Sequence, residues 1–332
     1  MILAIETSCD DTCAAVVTAA GEIRSNVISS QGVHDRYGGV VPEIASRHHL
    51  ELLTAVIDDA LARADGTFAD VELVAVTQGP GLVGALLVGV ASAKALAAAL
   101  GLPLAPVDHL QGHVAANFLG PEPFEPPFLC LVASGGHTFL AHVTSHDRFE
   151  VLGRTLDDAA GEAFDKGARL LGLPFPGGPH LQRLAETGDP SAFALPVARR
   201  LDGLDFSFSG LKTALLYKLR DFEAGATETP LADLAASYQH AIVEALANRI
   251  EQAIERTGVE RVAIGGGVAA NGPLRARVEA LAASRGVAVH IPPRELCTDN
   301  AAMIASAARY VEPLRGDAFL ALDAYPTGSH AL

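Results

Sequence analysis

The sequence predicts an α/β protein with a mainly parallel sheet covered by helices, and that plan is built twice. Three observations predict it. Short apolar runs that read as strands alternate with longer helical segments. Gly120-Pro121-Glu122-Pro123-Phe124-Glu125-Pro126-Pro127 is proline-dense and reads as a stiff extended linker. After it the opening pattern of strand, small-polar turn and strand returns. Phe128–Ala133, Ser134-Gly135-Gly136 and Thr138–Val143 follow the plan of Ile2–Ile5, Thr7–Asp11 and Cys13–Thr18. At 332 residues the chain exceeds one ordinary core. The expected division is residues 1–120 with about 300–325, a linker at 121–127, and a second subdomain at 128–299.

The elements follow in order. Ile2–Ile5 is a short strand, and Cys13–Thr18 and Glu22–Ser29 are two more, turning at Ala20-Gly21. A helix runs from Pro42 to about Ala64, with proline in its first turn. Leu73–Thr77 is a strand, and Gln78-Gly79-Pro80-Gly81 turns into a helix at Leu82–Leu100. Leu104–Val107 is a strand leading into a helix that carries two histidines. In the second half, helices are expected near Leu156–Leu171, Leu211–Arg220 and Leu231–Arg256. An irregular stretch with Phe175-Pro176-Gly177-Gly178-Pro179 and Phe206-Ser207-Phe208-Ser209-Gly210 separates the first two. Then come the strand Arg261–Ile264, the turn Gly265-Gly266-Gly267, the helix Ala270–Ala283 and the strand Val287–Ile291. Thr298-Asp299-Asn300 caps a last helix, Ala301–Tyr310, expected to pack back on the first domain.

Composition narrows the function. Hydrophobic residues make up 49% and charged residues 19%, which means a well-buried protein rather than a disordered one. A net charge of -15 argues against a non-specific nucleic-acid binder. Cys9, Cys13, Cys130 and Cys297 form no C-x-x-C pair, which fits a reducing cytoplasm. Met1-Ile2-Leu3-Ala4-Ile5 is followed at once by Glu6, Asp10 and Asp11 and has no basic flank, so no signal peptide is expected. The apolar stretch from Leu82 to Leu100 is rich in Ala and Gly and carries Lys94, and it reads as a buried helix rather than a membrane span.

Three small or glycine-rich turns directly follow strands: Thr7–Asp11, Ser134–Gly136 and Gly265–Gly267. Glycine lets backbone N–H groups approach an anion, and a helix start adds positive potential. Turns from two half-domains could converge on one nucleotide in a cleft between them. None fits the P-loop or the G-x-G-x-x-G pattern.

His109 and His113 stand one helical turn apart in Asp108-His109-Leu110-Gln111-Gly112-His113, so both imidazoles leave one helix face. That spacing can offer two nitrogens to one metal ion. A third ligand is needed, and Asp299 is the candidate, although an aspartate there would also serve as a helix N-cap. Two histidines and a carboxylate with open positions suit Fe(2+) or Zn(2+).

Ten segments, in order, carry a resemblance. They are Ile5-Glu6-Thr7-Ser8-Cys9-Asp10-Asp11-Thr12, Pro42-Glu43-Ile44-Ala45-Ser46-Arg47-His48-His49, Gln78-Gly79-Pro80-Gly81-Leu82, His109-Leu110-Gln111-Gly112-His113 and Ser134-Gly135-Gly136-His137-Thr138, then Gly161-Glu162-Ala163-Phe164-Asp165-Lys166, Pro176-Gly177-Gly178-Pro179, Phe206-Ser207-Phe208-Ser209-Gly210-Leu211-Lys212, Gly265-Gly266-Gly267-Val268-Ala269-Ala270-Asn271 and Cys297-Thr298-Asp299-Asn300. Together they resemble the TsaD family of tRNA N6-adenosine threonylcarbamoyltransferases, once called Gcp. The resemblance implies an actin-like ATPase (ASKHA) fold of two RNase-H-like domains with mixed sheets flanked by helices. It implies that His109, His113 and Asp299 bind one divalent metal, iron or zinc. It implies that Val132, Ala133, Ser134, Gly135, Gly136, Asp165, Gly178 and Asn271 contact an adenylate substrate. The implied reaction moves a threonylcarbamoyl group from threonylcarbamoyl-adenylate to N6 of the adenosine at position 37 of tRNAs reading ANN codons, forming t6A and releasing AMP.

The resemblance also implies partners: tRNA, the paralogue TsaB, the ATPase TsaE, and a TsaC-type enzyme that supplies the donor. The resemblance further implies ATP with Mg(2+) in that complex and no membrane. An acidic tRNA-modifying chain would rely on such partners for RNA affinity. Asp10 is the candidate to position or deprotonate the acceptor amine. Two positions depart from the family pattern. Gln111 stands where the family usually has Glu, and Gln182 stands where it often has Asp. A metalloprotease would need a carboxylate beside the metal, and Leu110, Gln111 and Gly112 offer none. A non-catalytic nucleotide-binding relative would be expected to lack the three metal ligands.

Overall fold

The computed structural model describes residues 1–197, 203–225 and 228–327. Its contacts divide into two compact units. The first comprises Met1–Pro126, Ser145–Arg148 and the segment that begins at Glu295; the second comprises Pro127–Thr144 and Phe149–Arg294.

The first unit has a five-stranded sheet of β1 (Ile2–Glu6), β2 (Asp11–Val17), β3 (Ile23–Ser30), β4 (Leu73–Gly79) and β5 (Leu104–Asp108), ordered β3-β2-β1-β4-β5. The sheet is mixed rather than mainly parallel. The turns after β1 and β2 are too short for a crossover, so β1–β2 and β2–β3 pair antiparallel. Helices α1 (Pro42–Arg63) and α2 (Val83–Leu100) provide the long returns, and β1–β4 and β4–β5 are parallel.

Strand alternation sorts the side chains by face. Leu3, Ile5, Ala14, Val16, Val74, Val76 and Leu104 join the core cluster with Leu53, Ile57, Val90 and Ala93 of α1 and α2. Glu6 alternates with Ile5 and therefore points to the other face. There α10 (Ala301–Ala308) packs on β1 and β2 and against α3 (His109–Ala115). A Cβ on Gly112 would lie 2.8 Å from Ile304 Cδ1, so glycine lets α3 and α10 approach closely. Among the described helices, α2 is the one long and apolar enough to cross a membrane; it buries Ala85, Leu86, Val90 and Ala93 within this unit.

The second unit repeats the sheet. β6 (Phe128–Ala133), β7 (Thr138–Ser145), β8 (Arg148–Arg154), β9 (Arg261–Gly265) and β10 (Ala288–His290) lie in the order β10-β9-β6-β7-β8, the same plan read from the other edge. β6–β7 is antiparallel, while β6–β9 and β9–β10 are parallel. The helices are α4 (Ala160–Leu170), α5 (Gly177–Ala185), α6 (Ser209–Ala224), α7 (Leu231–Thr257) and α8 (Gly272–Arg285); a single turn, α9 (Arg294–Cys297), starts at the unit's last residue and otherwise belongs to the first unit.

Two differences from the sequence reading have local causes. α5 forms where irregular chain was expected, because glycine and proline are tolerated in a first helical turn whose N–H groups have no intrahelical partner. Asp165 Oδ1 accepts one of those, Gly177 N–H, at 2.7 Å. α4 starts at Ala160 rather than Leu156, because Asp157 is occupied in accepting from Ser207 Oγ and the Phe208 N–H at the start of α6.

Candidate metal centre and nucleotide cavity

In the first unit, His109 opens α3 directly after β5. Asp108 caps the helix, its Oδ1 accepting from Leu110 N at 2.8 Å and Gln111 N at 3.1 Å. The other Asp108 oxygen accepts from the Tyr325 hydroxyl. The cap and the helical turn put both imidazoles on the buried face, with ring centroids 4.7 Å apart.

Asp299 meets them from just before α10. Asn300 takes the helix cap, its Oδ1 accepting from Met303 N at 2.9 Å, so Asp299 is not the cap. Its Oδ1 lies 3.6 Å from His109 Nε2 and 3.3 Å from His113 Nε2. One ligand atom from each of the three residues lies within 4.8 Å of the others. His113 is fully buried, and neither ring nitrogen has a hydrogen-bond partner; Nε2 is near Asp299 but out of hydrogen-bonding alignment. A buried imidazole with unmet nitrogens beside a carboxylate is the donor set a divalent cation would satisfy. The residues therefore fit a metal.

The sequence reading missed Glu6. It is wholly buried, and its Oε2 lies 3.0 Å from His109 Nδ1. Burial disfavours its charge, yet His109 outweighs that and holds the carboxyl below its ordinary pKa. Burial likewise works against a charged His109, but Asp299 and Glu6 push the imidazole up to about 9. Without a cation, a proton on His109 thus offsets one of the two carboxylate charges.

The acidic turn after β1 is held by its backbone. Cys9 O accepts from His49 Nε2 at 2.9 Å, and Asp10 O accepts from Gln31 N at 3.2 Å. Asp10 is partly exposed on this turn. The Asp11 carboxyl is pushed up to about 7, chiefly by burial; Asp299, Asp10 and Glu6 add to the shift, and a Ser30 hydrogen bond opposes it. A folded-state pKa above the unfolded one stabilises at pH values below the unfolded pKa, and that stabilisation is lost as pH rises through the folded value. Metal-free Asp11→Asn protein should therefore gain stability relative to wild type as pH rises from about 4 to about 7. Denaturant unfolding across that range checks it; identical pH slopes for the two proteins would refute it.

The second unit holds a cavity of about 430 Å³ lined by Gly135, Asp165, Gly178 and Asn271 together with Gln182, Arg183 and Arg294. Neighbouring parallel strands β6 and β9 place two of the three glycine turns side by side at their carboxyl ends. Gly266 has φ +82, and a Cβ there would lie 2.4 Å from Ala133 O, so only glycine fits. Val132 and Ala133 are buried within β6, and the Ser134–His137 turn closes on itself through Ser134 N and His137 O at 2.8 Å. The third turn, Thr7–Asp11, belongs to the first unit.

Asp165 carries a carboxyl raised by burial, against which the Gly177 and Gly178 N–H groups and Arg169 pull. Asn271 caps α8 through Leu274 N at 3.0 Å and gives both amide hydrogens to Gln182 Oε1 and Gln239 Oε1, each at 2.9 Å. Its donors are thus spent inside the protein, leaving one acceptor lone pair. Gln182, at the departing position, uses its carbonyl for Asn271 and for Gly272 N at 3.1 Å.

Two like-built α/β units, one with two buried histidines facing a partly exposed aspartate and one with a glycine-turn cavity, define a protein of the actin-like ATPase fold class. HypF in its phosphate- and nucleotide-bound form is similar at TM-score 0.62 and 14% identity, over 93% of this chain and 46% of that one. Component A of the Acidaminococcus fermentans (R)-2-hydroxyglutaryl-CoA dehydratase is similar at TM-score 0.54 and 17% identity, over 93% and 96%. Residues 22–306 match the family described as TsaD, tRNA N6-adenosine threonylcarbamoyltransferase, and the chain belongs to that family of transferases. A relative of that name from Clostridium perfringens is 51% identical over 96% of this chain and 94% of its own length. Another, from Symbiobacterium thermophilum, is 54% identical over 94% and 91%.

Proposed function

We propose that the protein is a cytoplasmic enzyme that transfers the threonylcarbamoyl group of threonylcarbamoyl-adenylate to N6 of the anticodon-adjacent adenosine of tRNA. The observation that carries this reading is the convergence of the His109 and His113 Nε2 atoms on Asp299 in a chain of this family. These three residues would hold Fe(2+) or Zn(2+), which would supply a Lewis acid for an oxygen of the donor. In the reaction the N6 amine bonds to the carbamoyl carbon, and the bond from that carbon to the phosphate oxygen breaks. AMP leaves with the electron pair, and the amine gives up one proton. Asp10 is assigned that proton, from a turn whose backbone His49 and Gln31 hold in place. Asp165, Gly135 and Gly178 are assigned the adenylate half, and Asn271 the shape of that cavity. The resemblance supplies the partners: a TsaB-type paralogue, a TsaE-type ATPase with its ATP and Mg(2+), and a TsaC-type enzyme that makes the donor.

Proteolysis is not favoured. Gln111 lies between the histidines, and the nearest buried carboxylate, Glu6, is turned to His109 Nδ1 rather than toward the ligand atoms. Transfer of labelled threonine to tRNA, with those partners present, tests the assignment. Wild type should label tRNA, and His109→Ala should lose about a hundredfold or more, since even outer-shell changes at metal sites cost about 10–100-fold. No labelling by wild type would refute the transfer reaction, and full labelling by the variant would refute the metal's part in it.

A further inference from the structure

We infer that Glu6 is the positioning residue of the metal centre, fixing His109 in the tautomer and ring orientation that present Nε2 to Asp299 and to a bound cation. The inference rests on the metal reading above and goes one layer outward from it.

A carboxylate in the middle of a domain needs a reason, because a buried charge is costly unless paired and hydrogen-bonded. All five residues of β1 are buried, and four of them are apolar. Glu6 sits at the end of that strand on the face toward α3 and α10, and nothing in apolar packing asks for it there. Its oxygens are met by three donors instead. Oε1 accepts from the Ser8 N–H, and Oε2 accepts from the Thr77 hydroxyl at 2.5 Å. His109 Nδ1 stands 3.0 Å from the same Oε2. Thr77 reaches it because β4 runs parallel beside β1, with Ile5 paired to Val76, so the next residues of both strands share a face.

An ionised carboxylate only accepts, so Nδ1 must be the ring nitrogen that carries hydrogen. In the neutral imidazole the lone pair is then on Nε2, the atom 3.6 Å from Asp299 Oδ1. Ser8 Oγ, at 3.3 Å, is the more distant neighbour of Nδ1 and can accept or donate, so it does not by itself choose a tautomer. His113 has no such orienting partner; Nδ1 there is buried and unbonded. The two histidines therefore differ: packing alone aims His113, whereas Glu6 aims His109. A carboxylate behind a ligating histidine also makes the imidazole a stronger donor to a cation.

The full-length protein, stripped of metal and titrated with Co(2+), provides the test. The visible d–d band and a chelator competition give geometry and Kd, and 15N signals of the histidine rings in the Zn(2+)-loaded protein, where Nε2 has given up its proton, report whether Nδ1 carries the hydrogen. Glu6→Gln keeps the shape but has one carbonyl oxygen for donors that now meet two. Either His109 Nδ1 or the Ser8 N–H must face an amide NH2 group. Expected are Co(2+) binding weaker by about 10–100-fold, a shifted band, and loss of the single Nδ1–H tautomer at His109. Thr77→Val, which leaves the charge in place and frees Oε2 on one side, should weaken binding by about threefold, and it serves if Glu6→Gln does not fold. A lower melting temperature alone, with Kd within twofold of wild type, the same band and the same tautomer, would overturn the inference. Wild type that takes up no Co(2+), or uptake unaffected by His113→Ala, would instead refute the metal reading itself.

Discussion

His113→Ala is expected to abolish metal-dependent stabilisation while leaving the metal-free protein about as stable as wild type. The two halves of that result have different causes. In the metal-free protein the His113 ring is fully buried with both nitrogens unbonded. Leaving buried polar groups unsatisfied costs about 1–3 kcal/mol, and removing the ring relieves that. The truncation loses packing and leaves a cavity, a cost of similar size in the other direction. The net change should lie within about 1 kcal/mol. With metal, wild type should gain about 2.7 kcal/mol at a free concentration of a hundred times Kd, because only the folded chain assembles the three ligands. The variant keeps two of the three and should gain almost nothing. Thermal unfolding with Zn(2+) and then with excess chelator measures both quantities. Equal stabilisation of the two proteins by Zn(2+) would remove His113 from the site.

Asp165 carries the second large effect, and two substitutions separate its roles. Asp165→Ala leaves Gly177 and Gly178 at the start of α5 without their acceptor, and a lost helix cap costs about 1–2 kcal/mol. Asp165→Asn keeps an oxygen that can accept from Gly177 N and should stay within about 1 kcal/mol of wild type. Both remove the anionic acceptor that lines the cavity. A hydrogen bond to a charged group contributes about 1.5–3 kcal/mol, so AMP affinity should fall by about 10–100-fold in both. Calorimetric titration with AMP checks the affinity, and denaturant unfolding checks the stability. An Asn variant that binds AMP as wild type does would exclude Asp165 from nucleotide contact. Metal content should not change, since His109, His113 and Asp299 belong to the other unit.

The parts legible in the sequence were those with a short-range signal. Phe128–Ala133 reads as a strand end to end because it is a continuous apolar run between a proline linker and a glycine turn, and the structure has β6 at those residues. α7 was equally plain, from Leu231 almost to its end at Thr257. α5 was hidden because Pro176-Gly177-Gly178-Pro179 carries breaker residues, and what lets a helix begin there is Asp165, twelve positions earlier in the chain. Glu6 was hidden for a related reason. The only local hint is an acid closing an apolar strand, and its meaning depends on Thr77 and His109. Asp299 could not be told from an N-cap until Asn300 was seen to cap α10.

Sequence by itself determined the alternation of strands and helices, the repeat of the plan after residue 127, and the one-turn spacing of His109 and His113. These follow from periodicity and turn chemistry, which act over a few residues. Only the tertiary structure decided that Asp299 faces the two histidines, that Glu6 stands behind one of them, and that Asn271 spends its amide hydrogens on Gln182 and Gln239. The reason is physical. Those contacts join residues far apart in the chain, and they form only when α10 packs across β1 and β2 and when α5 and α7 meet the start of α8.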